Sequence, residues 1–196
     1  MKREVDVLNA VPSKRIYRSI IADYDLNTAV AELVDNVLDC KKRRKLRRQV
    51  HVRLHFDLDD QSIEITDDAG GVAKEDLDKL ISPGASLGAG DSGSIGIFGV
   101  GSKRAVVALA RDIKIATRHE SSRKSFQLEY DDSWLSSEGW ELPYYEVDAL
   151  PESTTKIVLC RLRFRLEEDD VRKLAGHLGR VYCYFIVKNE LRITIS

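Results

Sequence analysis

The stretch AELVDNVLDC, residues 31–40, sets two aspartates, a glutamate and an asparagine into a segment otherwise built for burial. At about 100° per residue, Leu33, Val34, Val37 and Leu38 share one face of a helix, and Glu32, Asn36 and Asp39 lie together on the opposite one. A solvated helix face ordinarily collects Lys, Glu, Gln and Arg, whereas Asn and Asp compete with the backbone for hydrogen bonds and weaken a helix. The stretch therefore reads either as an ordinary amphipathic helix with its polar side in water, or as a helix with a core side and a chemical side.

Composition narrows the setting. A chain of 196 residues, 43% hydrophobic and 32% charged, suits one soluble α/β or α+β domain with a real core, residues 1–196. Lys+Arg 31 against Asp+Glu 32 gives a net charge of -1, so a nucleic acid or an anionic membrane could be met only by a local patch. No apolar run is long enough to span a membrane, and the charged start MKREVDVLNAV is no signal peptide, so a cytoplasmic protein is expected. Cys40, Cys160 and Cys183 are odd in number and widely spaced, and the histidines are scattered. These read as reduced structural thiols without a disulfide framework or zinc site.

Outward from the opening stretch, Ser13 marks a short helix, and Asn27 is the expected cap of the long helix, which runs towards Arg47. VHVRLHFDL from Val50 alternates strictly and SIEITD from Ser62 follows it, predicting a hairpin turned at DDQ. KEDLDKLI predicts a helix, residues 82–101 are glycine-rich, and SKRAVVALAR has helical spacing. Strands follow at DIKIATRH, KSFQLEY and TKIVLCRLR, then a helix from about Glu168 to Val187 and a strand at LRITIS. The fold class is an α/β sandwich, a largely antiparallel sheet with helices on one face. The last strand ends without a turn signal, which suggests a fragment of something longer.

Three further segments bear on the chemical side of the first helix. ITDDAGG, residues 65–71, ends a strand in a carboxylate and then sheds its side chains, so that a flat ligand can approach the backbone. SIGIFGVGSKRA, residues 94–105, sets Gly96, Gly99 and Gly101 just before a helix, where backbone N–H groups and the helix dipole suit phosphate oxygens. Its spacing fits neither the lysine-terminated phosphate loop nor the dinucleotide fingerprint. STTKIVL, residues 153–159, brings Thr155 in at the start of a strand.

In this order the four segments resemble the boxes of the GHKL ATPases: gyrase, the ninety-kilodalton heat-shock chaperone, histidine kinases and MutL-type repair proteins. AELVDNVLD looks like the asparagine box, DDAGG the first glycine box, GIFGVG the second and TTKI the threonine box, and AVAELVDNVLD is most similar to the MORC and heat-shock chaperone branches. Ala69 departs from the pattern, standing where many relatives carry glycine. The resemblance implies the Bergerat sandwich, with ATP and Mg²⁺ as cofactors.

It also implies roles. Asn36 would be the Mg²⁺ ligand, Glu32 would activate the water that attacks the γ-phosphate, and Asp39 would support the glycine-rich backbone. Asp67 would accept the adenine amino proton beside Gly71, with Thr155 supporting the same edge through a bridging water. Gly96, Phe98, Gly99, Val100 and Gly101 would wrap the phosphates, within a lid and glycine-rich loop over residues 82–101. Lys103 would either reach a phosphate or be solvated.

Slow, Mg-dependent ATP hydrolysis coupled to lid closure and ATP-dependent homodimerisation in a larger machine is the expected function. A histidine-kinase-type catalytic domain and a non-hydrolysing nucleotide sensor are the alternatives. Relatives supply a further basic residue to the γ-phosphate from a following domain. The run KKRRKLRR, Lys41–Arg48, suits a helix C-terminus, so a solvated, dipole-complementing end is favoured over nucleic-acid binding. Asp35 and Asp68 could be no more than solvated neighbours, and no catalytic role is assigned to them.

Overall fold

The computed structural model describes residues 13–18, 24–85 and 101–196. Its elements are α1 (Arg15–Arg18), α2 (Leu26–Arg43), β1 (Val50–Asp57), β2 (Ser62–Asp67), a 3₁₀ helix (Lys74–Leu80), α3 (Gly101–Leu109), β3 (Ala110–Arg118), β4 (Ser125–Asp131), α4 (Asp132–Ser136), β5 (Tyr144–Val147), β6 (Thr154–Leu162), α5 (Glu168–Val181), α6 (Cys183–Val187) and β7 (Leu191–Ile195). The strands form one sheet in the order β5-β4-β3-β6-β2-β1-β7. Neighbours are antiparallel except β1 and β7, which run parallel.

Period-2 alternation decides which side of the sheet is covered. Val50, Val52, Leu54 and Phe56 of β1, Ile63 and Ile65 of β2, Ile113 and Ile115 of β3, Leu128 and Tyr130 of β4 and Leu159 of β6 are all buried. They meet Ala29, Val30, Leu33, Val34 and Val37 of α2, Ala105, Val106 and Leu109 of α3, and Leu174 and Leu178 of α5 in one core. The intervening residues form an open face crossed by ion pairs, among them Lys156 with Glu64 (2.7 Å), Lys114 with Glu129 (3.9 Å) and Arg161 with Asp112 (3.3 Å). This is the sandwich expected from the sequence, a mainly antiparallel sheet with its helices on one face.

The ends of α2 differ from expectation. Asp25, not Asn27, is the cap: its Oδ1 accepts from the Thr28 backbone N–H at 2.7 Å, and the helix has begun by Leu26. The helix stops at Arg43 rather than near Arg47. Buried Lys41 folds its ammonium onto the carbonyls of Leu46 and Arg48, both at 2.7 Å, and Lys45 takes φ 54°, so the chain turns back.

KEDLDKL is helical as predicted but in the tighter 3₁₀ form. The helix expected over Glu168–Val187 is broken at Tyr182, with φ -102° and ψ 12°. Leu174, Leu178 and Tyr182 recur every fourth residue and pack onto the core, and the Tyr182 hydroxyl lies 2.8 Å from the Ala31 carbonyl and 2.7 Å from Asp35 Oδ1. Asp35 is therefore tied to α5 instead of being a solvated neighbour.

Two elements were not anticipated. One is β5, whose tyrosines Tyr144 and Tyr145 are exposed and show no inward phase. The other is α4, started by Asp131 accepting from the Trp134 N–H at 2.9 Å. All three cysteines are free thiols, Cys40 and Cys160 half-buried and Cys183 exposed. Among the described residues, no helix is long and apolar enough to cross a membrane.

The anchoring of α5 by a few inward side chains generates a contrast. Leu178 is 1% exposed and Val187 84% exposed. Leu178→Ala is expected to cost about 2–5 kcal/mol of unfolding free energy, and Val187→Ala less than about 0.5 kcal/mol, in denaturant titrations. Equal losses would show that α5 and α6 are not held as described.

Candidate functional site

Three strands bring the polar end of the sheet together. Asp67 pairs with Thr155 across β2 and β6, and Thr155 with Thr117 across β6 and β3. Continuing the inward phase of Ile63 and Ile65, Asp67 points to the helix side, as do Thr155 and Thr117 in the phases of Leu159 and Ile115. Asp67 Oδ1 accepts from the Ala69 backbone N–H at 2.9 Å. Burial nevertheless raises its carboxyl to about 7, with Asp68 adding to the rise and the Ala69 hydrogen bond, Arg44 and Arg48 opposing it.

The turn after Asp67 is fixed by backbone geometry and by the end of α2. Gly70 has φ 132° and Gly71 φ 63°, values that L side chains rarely adopt. A Cβ at Gly70 would lie 2.5 Å from Arg44 Nη1, and one at Gly71 would collide with the Arg118 carbonyl. Arg44 Nη2 donates to the Gly71 carbonyl at 3.0 Å, and Arg44 pairs with Glu120 at 3.2 Å. The Cys40 thiol donates to the Ala69 carbonyl at 3.2 Å, and the Gly70 N–H to the Ser153 carbonyl at 2.9 Å. Arg48 donates to the Asp68 carbonyl and pairs with its carboxylate at 3.1 Å, while that carboxylate accepts from the His51 N–H at 2.8 Å. Asp68 is therefore a structural clasp at the start of β1, not a solvated neighbour. Within the basic run Lys41 is buried and Arg44 half-buried, so these two turn inward, while Lys42, Lys45, Arg47 and Arg48 stay exposed as a solvated helix end would have them.

Glu32, Asn36 and Asp39 come from the polar side of α2, but in different environments. Glu32 is half-buried, Asn36 exposed and Asp39 buried. Burial pushes the Glu32 carboxyl upward, reinforced by the Asp35 carboxylate and opposed by Arg104. A Cβ on Gly101 would collide with the Glu32 carboxylate, so Gly101 lets the first residue of α3 close onto Glu32. Asn36 Nδ2 donates to the Glu32 carbonyl at 2.7 Å. A carbonyl can only accept, so this bond fixes the amide orientation and leaves Oδ1 as the outward acceptor.

Lys103 is buried, its ammonium donating to the carbonyls of Ser82 (2.7 Å) and Ala85, and burial lowers it to about 8. It is thus not solvated. Gly96, Phe98, Gly99, Val100 and residues 86–95 of the expected lid lie outside the described residues.

Several contributors were missed in the sequence. Thr117 is fully buried, a polar side chain in the inward phase of Ile113 and Ile115, and that break in the pattern was its one available signal. Arg44 is hidden among seven other residues of a basic run, and Tyr182 continues an apolar stripe. Nothing local marks either.

The chain matches the model of the histidine kinase-, DNA gyrase B- and HSP90-like ATPase family over residues 24–156, more than half its length, and belongs to that family. No curated protein matches it. The matched span contains α2, the Asp67–Val72 turn, α3 and the start of β6.

The raised Asp67 carboxyl predicts a pH dependence of the nucleotide-free protein. The folded state holds this proton to about 7 against an ordinary value of 3.8, so the associated stability is full below pH 3.8 and lost as pH rises through about 7. Over that window Asp67 should contribute a slope of up to about -1.4 kcal/mol per pH unit to the unfolding free energy. Asp67→Asn should remove this share, leaving a shallower dependence in denaturant titrations at several pH values. Superimposable slopes for the two proteins would place the titration elsewhere.

Proposed function

We propose that this family member binds Mg·ATP, hydrolyses it slowly, and uses the nucleotide state to drive closure of the segment 82–101 and dimerisation within a larger protein. The observation carrying the reading is the row Asp67–Thr155 at one end of the sheet, held through the α2 clamp to the helix that bears Glu32 and Asn36. An ionised carboxylate is acceptor-only and suits the adenine amino group, while the guanine carbonyl at that position would be repelled. Adenine binding would also hold Asp67 in the charged form that burial alone disfavours.

At the phosphate end, Asn36 would hold the metal through its outward Oδ1. Among the described residues no three carboxylate, histidine or cysteine side chains form a metal cage, which suits a cation held mainly by phosphates and water. A divalent cation held by Asn36 would supply positive charge to offset that of the phosphates. The N-terminus of α3 already accommodates the Glu32 carboxylate, and its N–H groups suit anionic oxygens. Glu32, raised by burial, would take the proton of the attacking water, and Gly71 and Gly101 would give the nucleotide close backbone approach. Asp39, buried beside Leu38, would brace this face of α2, and Lys103 would join Ser82 and Ala85 of the lid base to α3. The reading includes no nucleic-acid contact through Lys41–Arg48.

Calorimetric titration with ATP, with and without Mg²⁺, tests binding, and phosphate release tests turnover. Glu32→Gln should keep nucleotide affinity and lose most turnover, since it removes the base and leaves the cradle. A wild-type rate in this variant would remove Glu32 from the chemistry. Asn36→Ala should weaken Mg·ATP by about tenfold or more and leave metal-free nucleotide unchanged, since only the metal link is cut. Equal losses in magnesium and in chelator would mean that Asn36 does not hold the ion.

A further inference from the structure

Thr117 is fully buried one strand beyond Thr155, and its hydroxyl is almost completely committed. It accepts from the Val72 backbone N–H at 2.8 Å and lies 3.1 Å from the Thr154 carbonyl, which can only accept, so the Thr117 proton points there. The remaining neighbour is Thr155 Oγ1 at 3.4 Å, a long contact for two hydroxyls. With the Thr117 proton spent, only Thr155 can donate in that contact. A Thr155 hydroxyl that donates in this contact keeps its lone pairs for other partners, and Asp67 is its cross-strand neighbour.

We infer that Thr117 is a positioning residue for base recognition: it fixes the hydrogen-bond polarity of Thr155, so that Thr155 and Asp67 together present acceptors and favour an amino over a carbonyl group on the purine. The inference rests on the adenine reading above. The chain of hydroxyls runs from the glycine turn through Thr117 to Thr155, so the same residue joins the Val72 backbone to the recognition edge. Thr117 touches no ligand in this scheme. Its effect passes through Thr155, which sets it apart from a residue that only stabilises the sheet.

The experiment is competition binding of Mg·ATP, Mg·GTP and inorganic tripolyphosphate to the 196-residue chain and its variants. Thr117→Val, similar in shape but without the hydroxyl, should lower the ATP-over-GTP preference about tenfold and leave tripolyphosphate affinity unchanged. Thr117→Ser should keep the preference within about twofold, and Thr117→Val added to Thr155→Val should lower it no further than Thr155→Val alone. If Thr117→Val does not fold, Thr117→Cys, with a weaker donor, should show the same loss in part. An unchanged ratio in Thr117→Val, or in Thr117→Cys where it substitutes, overturns the inference. So does an equal loss for tripolyphosphate, or a full further loss in the Thr155→Val background. A wild-type chain that binds ATP and GTP equally would overturn the adenine reading itself, a result distinct from an unchanged ratio in the variants.

Discussion

The pairing of β6 with β2 on one side and β3 on the other is the constraint on which the rest depends. It brings three residues far apart in sequence, Asp67, Thr155 and Thr117, to one level of the sheet. Because side chains alternate with period two, a slip of one residue in either ladder would send one of them to the open face. A slip of β2 would also expose buried Ile63 and Ile65, and a slip of β3 buried Ile113 and Ile115. Burial of the sheet's apolar side thus fixes the polar end as well, without contacts among the polar groups having to specify the register.

The basic run gains a different meaning in this frame. Cys40, Arg44 and Arg48 hold the carbonyls of Ala69, Gly71 and Asp68, so the C-terminal end of α2 and the turn that follows it grip the segment after β2. The same helix carries Glu32 and Asn36 two to three turns earlier. The proposed base end and phosphate end are therefore attached to one rigid rod, and the separation between them is set by helix geometry, about 1.5 Å per residue. Gly70 is required by its φ of 132°, and the Arg44 guanidinium occupies the space beside it.

The two-sided character of α2, the alternation of β1, β2, β3 and β4 and the sandwich class were legible because each depends on periodicity within a single segment. The positions of Asp67 and Thr155 at strand ends were legible for the same reason. What could not be read depends on partners distant in sequence. Thr117 acquires a role only once β3 lies beside β6, Arg44 only once Gly70 lies beneath it, and Tyr182 breaks its helix where its hydroxyl reaches Asp35. The cap of α2 was missed for a local reason: Asp25 and Asn27 are both good caps, and which one is used is decided by where Thr28 N–H is met. Exposed β5 carries no inward phase and so left no pattern to detect.

The parallel partnership of β1 with β7 has a consequence for biosynthesis. β1 is complete by Asp57, yet its second neighbour is not made until Leu191–Ile195, and their pairing joins Val50 to Leu191. During translation β1 therefore waits as a bare edge while most of the chain is still in the ribosome or emerging from it. Closing so long a loop is entropically slow, so β7 should dock after the β1–β2 hairpin and the β3–β4–β6 ladders have formed. In the interval the nascent chain presents β1's unpaired N–H and C=O groups to other chains, a window in which a chaperone that shields strand edges would raise the yield of native protein.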